Sequence, residues 1–103
     1  MNKMSWLLCG VGFLVNISTA SFAAGGLDEG RKDYQRFCQS CHGSNGSGKV
    51  GRSPDFRRPG ALLKTDRELV ARIEKGKKLC PSFKGILAEE KITNVIRYLR
   101  TFR

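Results

Sequence analysis

The segment CQSCH, at residues 38–42, constrains this chain more than any other feature. Two cysteines stand three residues apart, and the second is followed directly by His42, the only histidine among 103 residues. In a helical turn, Cys38 and Cys41 project from one face. They can form thioethers with the two vinyl groups of one porphyrin while the imidazole beneath it binds the iron. The segment therefore predicts one covalently attached haem with His42 as an axial ligand.

A competing interpretation comes from the next eight residues, GSNGSGKV at 43–50, which nearly spell a phosphate-binding loop. Such a loop requires Ser or Thr after its lysine to contact magnesium, and this chain has Val50 there. It also requires a buried strand before it and a parallel sheet behind it, whereas the preceding YQRFCQSCH is polar and helical in character. We therefore expect a flexible, glycine-rich turn at this point.

Two further interpretations of the cysteines stay open. Cys38, Cys41, His42 and Cys80 form an acceptable ligand set for a structural zinc ion. A redox-active dithiol would use the first two cysteines, but this sequence does not indicate the strand–helix–strand frame in which such dithiols usually occur.

The first 23 residues have the layout of a secretory signal peptide. Lys3 supplies a positive start, residues 6–15 form the apolar run WLLCGVGFLV, and Ser21 and Ala23 are the small residues of a cleavage site. We expect cleavage after Ala23 and one domain over residues 24–103, located in the periplasm. The apolar run is shorter than the roughly 20 residues of a membrane-spanning helix. An uncleaved anchor is therefore the weaker alternative, and no membrane anchor is expected after cleavage.

Charge and size limit the partners of this domain. Residues 1–23 hold one basic residue and no acidic one, so the remaining 80 residues have 18 Lys and Arg against 9 Asp and Glu. A domain of this size is marginally stable without a metal, a disulfide or a cofactor. A strongly basic chain attracts nucleic acid, anionic membranes or acidic proteins. Because an exported protein rarely meets nucleic acid, we expect an acidic redox protein as partner and no nucleic acid.

The hydrophobic pattern predicts a small all-α fold with about three main helices and long loops. The first helix is expected over residues 27–38, with Asp28 and Glu29 in its first turn, where the helix dipole favours anions. Its predicted inner face consists of Leu27, Gly30, Tyr34, Phe37, Cys38 and Cys41.

Two more helices follow a long loop. Residues 43–63 show no period, and a loop of this length is acceptable in a compact domain if it wraps something large. The capping box TDRE begins the second helix at Thr65, and Gly76 is its natural stop. The third helix is expected over residues 89–102, behind Ala88, which is a poor N-cap. Its apolar positions repeat with helical spacing and are Ile92, Val95, Ile96 and Leu99.

The chain resembles the class I c-type cytochromes, small monohaem electron carriers, over nearly all of residues 24–103. Gly30 and Tyr34 stand eight and four residues before Cys38, where the family has a glycine and an aromatic residue that pack on its last helix. The segment VIRYLRTF, at residues 95–102, is similar to that last helix. The residues that the resemblance places against the glycine and the aromatic residue are Val95 and Tyr98.

The resemblance also implies roles around the haem. Pro54, twelve residues after His42, corresponds to a proline whose carbonyl accepts a hydrogen bond from the histidine Nδ1–H and so fixes the imidazole tautomer. Residues 43–63 would wrap the haem edge, and Tyr34 and Phe83 would belong to the haem environment. The basic residues that either pair with the haem propionates or stay exposed are Arg52, Arg57 and Arg58.

One position departs from the family. Its second iron ligand is usually a methionine, and the only methionines here are Met1 and Met4, inside the predicted signal peptide. Cys80 occupies the corresponding position, directly before Pro81, in the segment CPSFKGILAEEKI, which is similar to the family's M-P-x-F loop. We therefore expect Cys80 to bind the iron as a thiolate opposite His42, with a non-ligating Cys80 as the alternative. A thiolate stabilises ferric iron, so the reduction potential is expected well below that of a methionine-ligated haem.

The resemblance implies a periplasmic carrier of electrons rather than an enzyme, working with an acidic redox protein or as one partner of a heterodimeric cytochrome. Haems with this ligand pair occur in thiosulfate-oxidising enzymes and in small heterodimeric cytochromes of anammox bacteria. Two alternatives follow: a module that binds CO or NO or senses redox state, and a haem subunit of a sulfur-oxidising complex. The residues expected to steer an acidic partner are Lys75, Lys77, Lys78 and Lys84.

Overall fold

The computed structural model describes Gly10, residues 12–15, Ile17 and residues 22–103. Most of the predicted signal peptide therefore lies outside the described residues. Over residues 22–103 the fold is all-α and has no β-strand longer than an isolated bridge, which confirms the predicted class. Its helices are α1 (Phe22–Phe37), α2 (Gln39–His42), α3 (Asp66–Lys75) and α4 (Glu89–Leu99).

The crossing of α1 and α4 organises the fold. Gly30 is buried there, and a β-carbon at this position would lie 2.0 Å from the carbonyl oxygen of Asn94. The glycine therefore allows the two backbones to approach more closely than any side chain would permit. One turn later, the Tyr34 ring packs edge-on against Tyr98, with ring centroids 5.4 Å apart, and Val95 is buried in the same cluster. The predicted contact between these residues is confirmed.

The bounds of α1 differ from the prediction. The helix begins at Phe22, before the expected start, so Asp28 and Glu29 lie in its interior rather than in its first turn. Their carboxylates form ion pairs with Arg31 and Lys32. The predicted inner face is wrong at both ends. At its C-terminal end, α1 stops at Phe37 and the chain changes direction at Cys38. The two members of that face that are exposed are Leu27 and Cys41.

The second and third predicted helices correspond to α3 and α4. The capping box is present, since the Glu68 N–H donates to Thr65 Oγ1 and the Thr65 N–H donates to the Glu68 carboxylate at 2.8 Å. Ala88 forms no side-chain cap for α4, as predicted, because alanine has no side-chain hydrogen-bond acceptor. This helix ends at Leu99 rather than at residue 102, and Phe102 instead turns back to pack its ring against Tyr34.

Two apolar clusters form the core on either side of α4. The α3 cluster joins α3 to the loop before α4, and the Tyr34 cluster joins α1 to the end of α4 and to the long loop. All four predicted apolar positions of α4 are buried in one cluster or the other. The α3 cluster contains Val70, Phe83, Leu87, Ile92 and Ile96. The Tyr34 cluster contains Tyr34, Val95 and Leu99, with Cys38, Phe56, Leu62, Tyr98 and Phe102 packed against them.

The long loop between α2 and α3 contains only turns and bends, as predicted. Backbone hydrogen bonds nevertheless hold its first part, including one from the Phe56 N–H to the carbonyl of Gly46 at 2.8 Å. Arg100 holds its last part, because its guanidinium donates to the carbonyls of Leu62 and Lys64 and to the carboxylate of Asp66. The loop is therefore attached at both ends to the helical frame.

Candidate cofactor site

The CQSCH segment forms a single helical turn after a break at Cys38. The Cys38 N–H donates to the carbonyl of Tyr34 at 2.9 Å, and the His42 N–H donates to the carbonyl of Cys38 at 3.0 Å. Cys38 is half-buried against the Tyr34 cluster, Cys41 is exposed, and both are free thiols. The structure therefore places two thiols one turn apart and an imidazole directly after the second.

The electrostatic environment of Cys38 links it to distant parts of the chain. Burial raises the pKa of the Cys38 thiol to about 12, with smaller electrostatic contributions from Cys80, Asp33 and Cys41. The turn that carries Cys80 lies near the loop that follows CQSCH, because a β-carbon at Gly51 would lie 3.6 Å from Cδ1 of Leu79.

His42 is half-buried, and this burial lowers the pKa of its imidazole. A neutral imidazole is the form that binds a metal ion. Its Nδ1 atom is buried and has no hydrogen-bond partner among the residues that the structure describes. An orphaned buried nitrogen of this kind is uncommon and indicates a site that is completed by another group.

The predicted partner of Nδ1 does not fill this role. Pro54 is exposed, and no hydrogen bond joins its carbonyl to His42 in the described part of the chain. That carbonyl instead packs towards the backbone of Gly48, where an added β-carbon would lie 3.3 Å from it. The Gly48 N–H in turn donates to the carbonyl of His42 at 2.9 Å. The loop around Pro54 therefore contacts the histidine's backbone neighbours, not its ring nitrogen.

Phe56 contacts the imidazole instead, which the sequence analysis missed. The two ring centroids are 4.8 Å apart and the ring planes are inclined by 32°, so the rings form a tilted stack. Phe56 also packs against the Tyr34 cluster. The signal that could have identified it is its position, since it is the only aromatic residue of the loop at residues 43–63.

Tyr34 supports the segment from the side of the core. Its side chain is fully buried, and its hydroxyl donates a hydrogen bond of 2.6 Å to the carbonyl of Gly43, the residue after His42. Burial raises the pKa of this phenol to about 12, with smaller contributions from Cys38 and Tyr98. Tyr34, predicted to belong to the haem environment, thus holds the backbone that follows the candidate ligand.

Cys80 lies on a tight turn after α3. The Lys77 N–H donates to the carbonyl of Cys80 and the Cys80 N–H donates to the carbonyl of Lys77, both at 3.0 Å. Lys78, between them, adopts the left-handed conformation with φ 53°, which such two-residue turns require. Gly76 is packed so closely beneath the turn that a β-carbon there would lie 2.7 Å from the carbonyl oxygen of Cys80. The Cys80 side chain itself is exposed.

The segment after Cys80 is anchored to the core. The Phe83 N–H donates to the carbonyl of Ile73 at 3.3 Å and the Lys84 N–H donates to that of Glu74 at 3.2 Å, so the segment is fastened to the end of α3. Phe83 is buried in the α3 cluster, where its ring packs edge-on against Phe37 at 6.0 Å. The structure therefore gives Phe83 a core-packing role beside the Cys80 turn.

The three arginines of the long loop divide into two kinds. Arg57 binds both carboxylate oxygens of Asp55, at 3.0 Å each, and Arg58 lies 3.8 Å from the same carboxylate. The hydrogen bonds from Arg57 lower the pKa of Asp55. Arg52 is exposed and has no ion pair with any residue in the described ranges. Of the three residues expected near the propionates, Arg52 alone is not already bound to Asp55.

Exposed apolar side chains lie between the two cysteine-bearing segments. The Val50 N–H donates to the carbonyl of Cys41 at 3.1 Å, and a β-carbon at Gly51 would lie 3.6 Å from Leu79, the neighbour of Cys80. Val50 is 46% exposed and Leu79 is 83% exposed. A flat apolar cofactor would remove both from water. Together with two thiols, a neutral imidazole and a third thiol, this surface fits a haem.

Zinc binding, the first alternative, is not supported by the geometry. Across the described residues, no group of three or more His, Cys, Asp or Glu side chains is assembled closely enough to hold a metal ion. A structural zinc site requires four such ligands around one point.

Among the residues that the structure describes, no helix combines the length and the apolar character needed to cross a membrane.

The helical fold and the Cys-x-x-Cys-His turn define the class of small c-type cytochromes. Residues 25–99 match the family model described as cytochrome c oxidase, cbb3-type, subunit III, and the chain therefore belongs to this family. A segment of 55 residues, 53% of the chain, is also 42% identical to a protein of Acetobacter aceti named alcohol dehydrogenase (quinone), dehydrogenase subunit. That segment covers only 7% of the length of this relative.

Family membership settles the general chemistry. The protein is a monohaem c-type cytochrome that carries electrons, and its haem c is covalently bound. When bound, this cofactor supplies a metal centre that changes oxidation state by one electron. The protein is accordingly an electron carrier rather than a catalytic enzyme.

Proposed function

We propose that this protein is an exported, low-potential electron carrier whose haem is attached through Cys38 and Cys41 and whose iron is bound by His42 and Cys80. The spacing of the two thiols on one turn supports the attachment. The neutral, half-buried imidazole directly after them supports ligation by His42. These assignments can be tested separately from the nature of the second ligand.

The observation that carries the low potential is the position of Cys80. The chain has no methionine after Met4 and no second histidine, so few side chains remain that bind haem iron strongly. Cys80 is held on a hydrogen-bonded turn whose Leu79 lies near Gly51, in the loop that follows CQSCH, which supports Cys80 as the second ligand. A thiolate ligand stabilises the ferric state and lowers the reduction potential.

Absorption spectra of the haem-loaded protein test the ligand. We expect a ferric thiolate charge-transfer band that Cys80→Ala abolishes, and a lower midpoint potential for the wild type than for Cys80→Met, which restores the family's usual ligand. A band that persists in Cys80→Ala would exclude thiolate ligation. Mass spectrometry tests attachment, because Cys38→Ser with Cys41→Ser should lose covalent haem while each single variant keeps one thioether. Covalent haem in the double variant would contradict the assignment.

The Cys80 turn is also the proposed docking surface for an acidic partner. Lys75, Lys77, Lys78 and Lys84 are all exposed on or beside this turn, and none is in an ion pair with a described residue. Unpaired charges of one sign around a redox centre accelerate encounters with a partner of opposite sign, and salt weakens this effect. The likeness to a dehydrogenase subunit supports an enzyme or a second cytochrome as that partner.

Small inorganic reagents test the docking surface without a known partner. Oxidation of the reduced protein by anionic ferricyanide should slow as salt rises, and its oxidation by cationic hexaammineruthenium(III) should accelerate. Lys75→Gln, Lys77→Gln and Lys78→Gln combined should weaken both trends. Arg31→Gln with Lys32→Gln, on ion-paired positions of α1, is the control and should change them little. Effects in proportion to the charges removed, three against two, would show that only net charge matters.

Export to the periplasm is proposed from the composition of residues 1–23. Expression of the full chain should yield a periplasmic protein whose N-terminus is Ala24. A cytoplasmic or membrane-bound product with residues 1–23 still attached would contradict this part of the proposal. Because c-type haem is attached after export, a variant with Lys3 replaced by Glu should also lower the yield of haem-loaded protein.

A second candidate function is the binding of CO or NO at the iron after Cys80 dissociates. The Cys80 side chain favours it, because it is exposed on a turn and its one hydrogen bond is a long one of 3.9 Å from Sγ to the carbonyl of Pro81. Titration of the reduced protein with CO separates the two functions. A carrier should keep its spectrum unchanged, whereas a gas-binding module should shift to a CO-bound spectrum at low concentration.

A further inference from the structure

The imidazole of His42 lacks the restraint that usually fixes a ligating histidine. A metal-binding histidine normally donates its second ring N–H to an oxygen, which sets the orientation of the ring. Here the buried Nδ1 has no such partner in the described part of the chain. The orientation of the ring must therefore depend on packing.

Phe56 supplies that packing. Its ring stacks on the imidazole at a centroid distance of 4.8 Å with an inclination of 32°, and it is the ring that pairs with His42 within the described residues. Stacked rings resist rotation, because a turn of either ring about its bond would bring edges into the opposing face. The stack thus restrains the plane of the imidazole.

Phe56 is itself held from behind. Its N–H donates to the carbonyl of Gly46 at 2.8 Å, and its side chain packs against the Tyr34 cluster. Gly46 lies against Phe102 so closely that a β-carbon there would be 2.5 Å from Cδ2 of that ring. The contact of Phe56 with His42 therefore continues into the aromatic core formed by α1 and α4.

We propose that Phe56 is a positioning residue that fixes the plane of the axial imidazole and favours the ferric state of the haem. This inference rests on His42 being an iron ligand, as proposed above. An aromatic face carries partial negative charge and stabilises a nearby positive group. The imidazole is more positive when its iron is ferric, so the stack lowers the reduction potential.

Haem-loaded variants test the role. Phe56→Leu removes the ring but keeps an apolar side chain, and Phe56→Tyr keeps the ring. Tyr98→Leu is the matched control, because it removes a ring from the same cluster that pairs with Tyr34 and Phe102 rather than with His42. If Phe56→Leu does not yield haem-loaded protein, Phe56→Ile replaces it.

The readouts are the proton NMR shifts of the haem methyl groups in the ferric protein and the midpoint potential. Methyl shifts report the plane of the axial imidazole. We expect Phe56→Leu to change their order and to raise the potential, Phe56→Tyr to restore both, and Tyr98→Leu to lower stability with both unchanged. Wild-type shifts and potential in Phe56→Leu would overturn the inference.

Failure of the underlying assignment would look different. If His42 is not a ligand, the wild-type ferric protein and His42→Ala would share the same spectrum before any Phe56 variant is compared. The positioning role alone would be refuted if the wild-type spectrum changes in His42→Ala but the haem methyl shifts are the same in Phe56→Leu as in the wild type.

Discussion

The two sides of the proposed haem site are held by different forces. On one side, His42 is half-buried, stacked on Phe56 and followed by a carbonyl that accepts a hydrogen bond from the buried Tyr34. On the other side, Cys80 is exposed on a turn closed by two backbone hydrogen bonds. Packing in a core changes only at a large cost in free energy, whereas an exposed turn can rearrange locally. In the proposed site, His42 would therefore be the fixed ligand and Cys80 the adjustable one.

The largest effect is expected from a change at the crossing that supports the His42 side. In Gly30→Ala, the new β-carbon would overlap the Asn94 carbonyl, and we expect a loss of about 3 kcal/mol or more in the free energy of unfolding. Gly85→Ala is the control beside the Cys80 turn. It has open space but a φ of 80°, so about 1–2 kcal/mol is expected. Urea unfolding of the haem-loaded proteins measures both losses of unfolding free energy. Equal losses would show that the crossing at Gly30 is no more tightly packed than the segment at Gly85.

A somewhat smaller effect should separate the two sides directly. Gly76→Ala combines a φ of 71° with a contact of 2.7 Å to the Cys80 carbonyl oxygen, so we expect about 2–3 kcal/mol of destabilisation. The change should displace Cys80 and weaken the ferric thiolate band while haem methyl shifts governed by His42 persist. Loss of both signals together would show that the two sides are not independent.

Removal of one hydroxyl tests the buried support of His42. Tyr34→Phe leaves the Gly43 carbonyl without its buried donor, and we expect about 1–2 kcal/mol of destabilisation. Tyr98→Phe is the control, because it lies in the same cluster and its hydroxyl forms no hydrogen bond with the described residues. The melting temperature of Tyr34→Phe should lie well below that of Tyr98→Phe. Similar melting temperatures would mean that the Tyr34 hydroxyl contributes little to stability.

The smallest effect is expected where the loop meets α4. Arg100→Lys keeps the charge but loses the fork that reaches two carbonyls and Asp66, and we expect about 0.5–1 kcal/mol. The exposed ion pair with Asp66 contributes little by itself. Raising the salt concentration should therefore leave the difference between wild type and variant nearly unchanged. A difference that disappears in salt would assign the effect to charge instead.

Regular patterns in the sequence predicted the helical frame well. The capping box at Thr65, the stop at Gly76 and the four apolar positions of α4 all appear as expected, because each depends on neighbours within one or two turns. The end of α4 and the start of α1 were wrong by several residues. Those bounds depend on distant contacts, such as the return of Phe102 to Tyr34.

The site was predicted as residue types more fully than as contacts. Gly30 and Tyr34 lie against α4 as expected, but Pro54 does not bind the imidazole nitrogen, and Arg57 and Arg58 bind Asp55. The contact of Phe56 with His42 was not predicted, because a single aromatic residue in a glycine-rich loop belongs to no helical or strand pattern that would indicate its partner. Its partner is decided by how the loop folds back, and loop paths follow from many weak contacts.

The sequence by itself determined the class of this protein, because Cys-x-x-Cys-His encodes the chemistry of haem attachment within five consecutive residues. It also determined which second ligands are available, since the absence of another histidine and of a later methionine is a matter of composition. Only the tertiary structure decided that Phe56 packs against His42 and that Phe102 returns to Tyr34. Both are contacts between separate segments of the chain, and such contacts form only when the helices pack and the loops between them are closed.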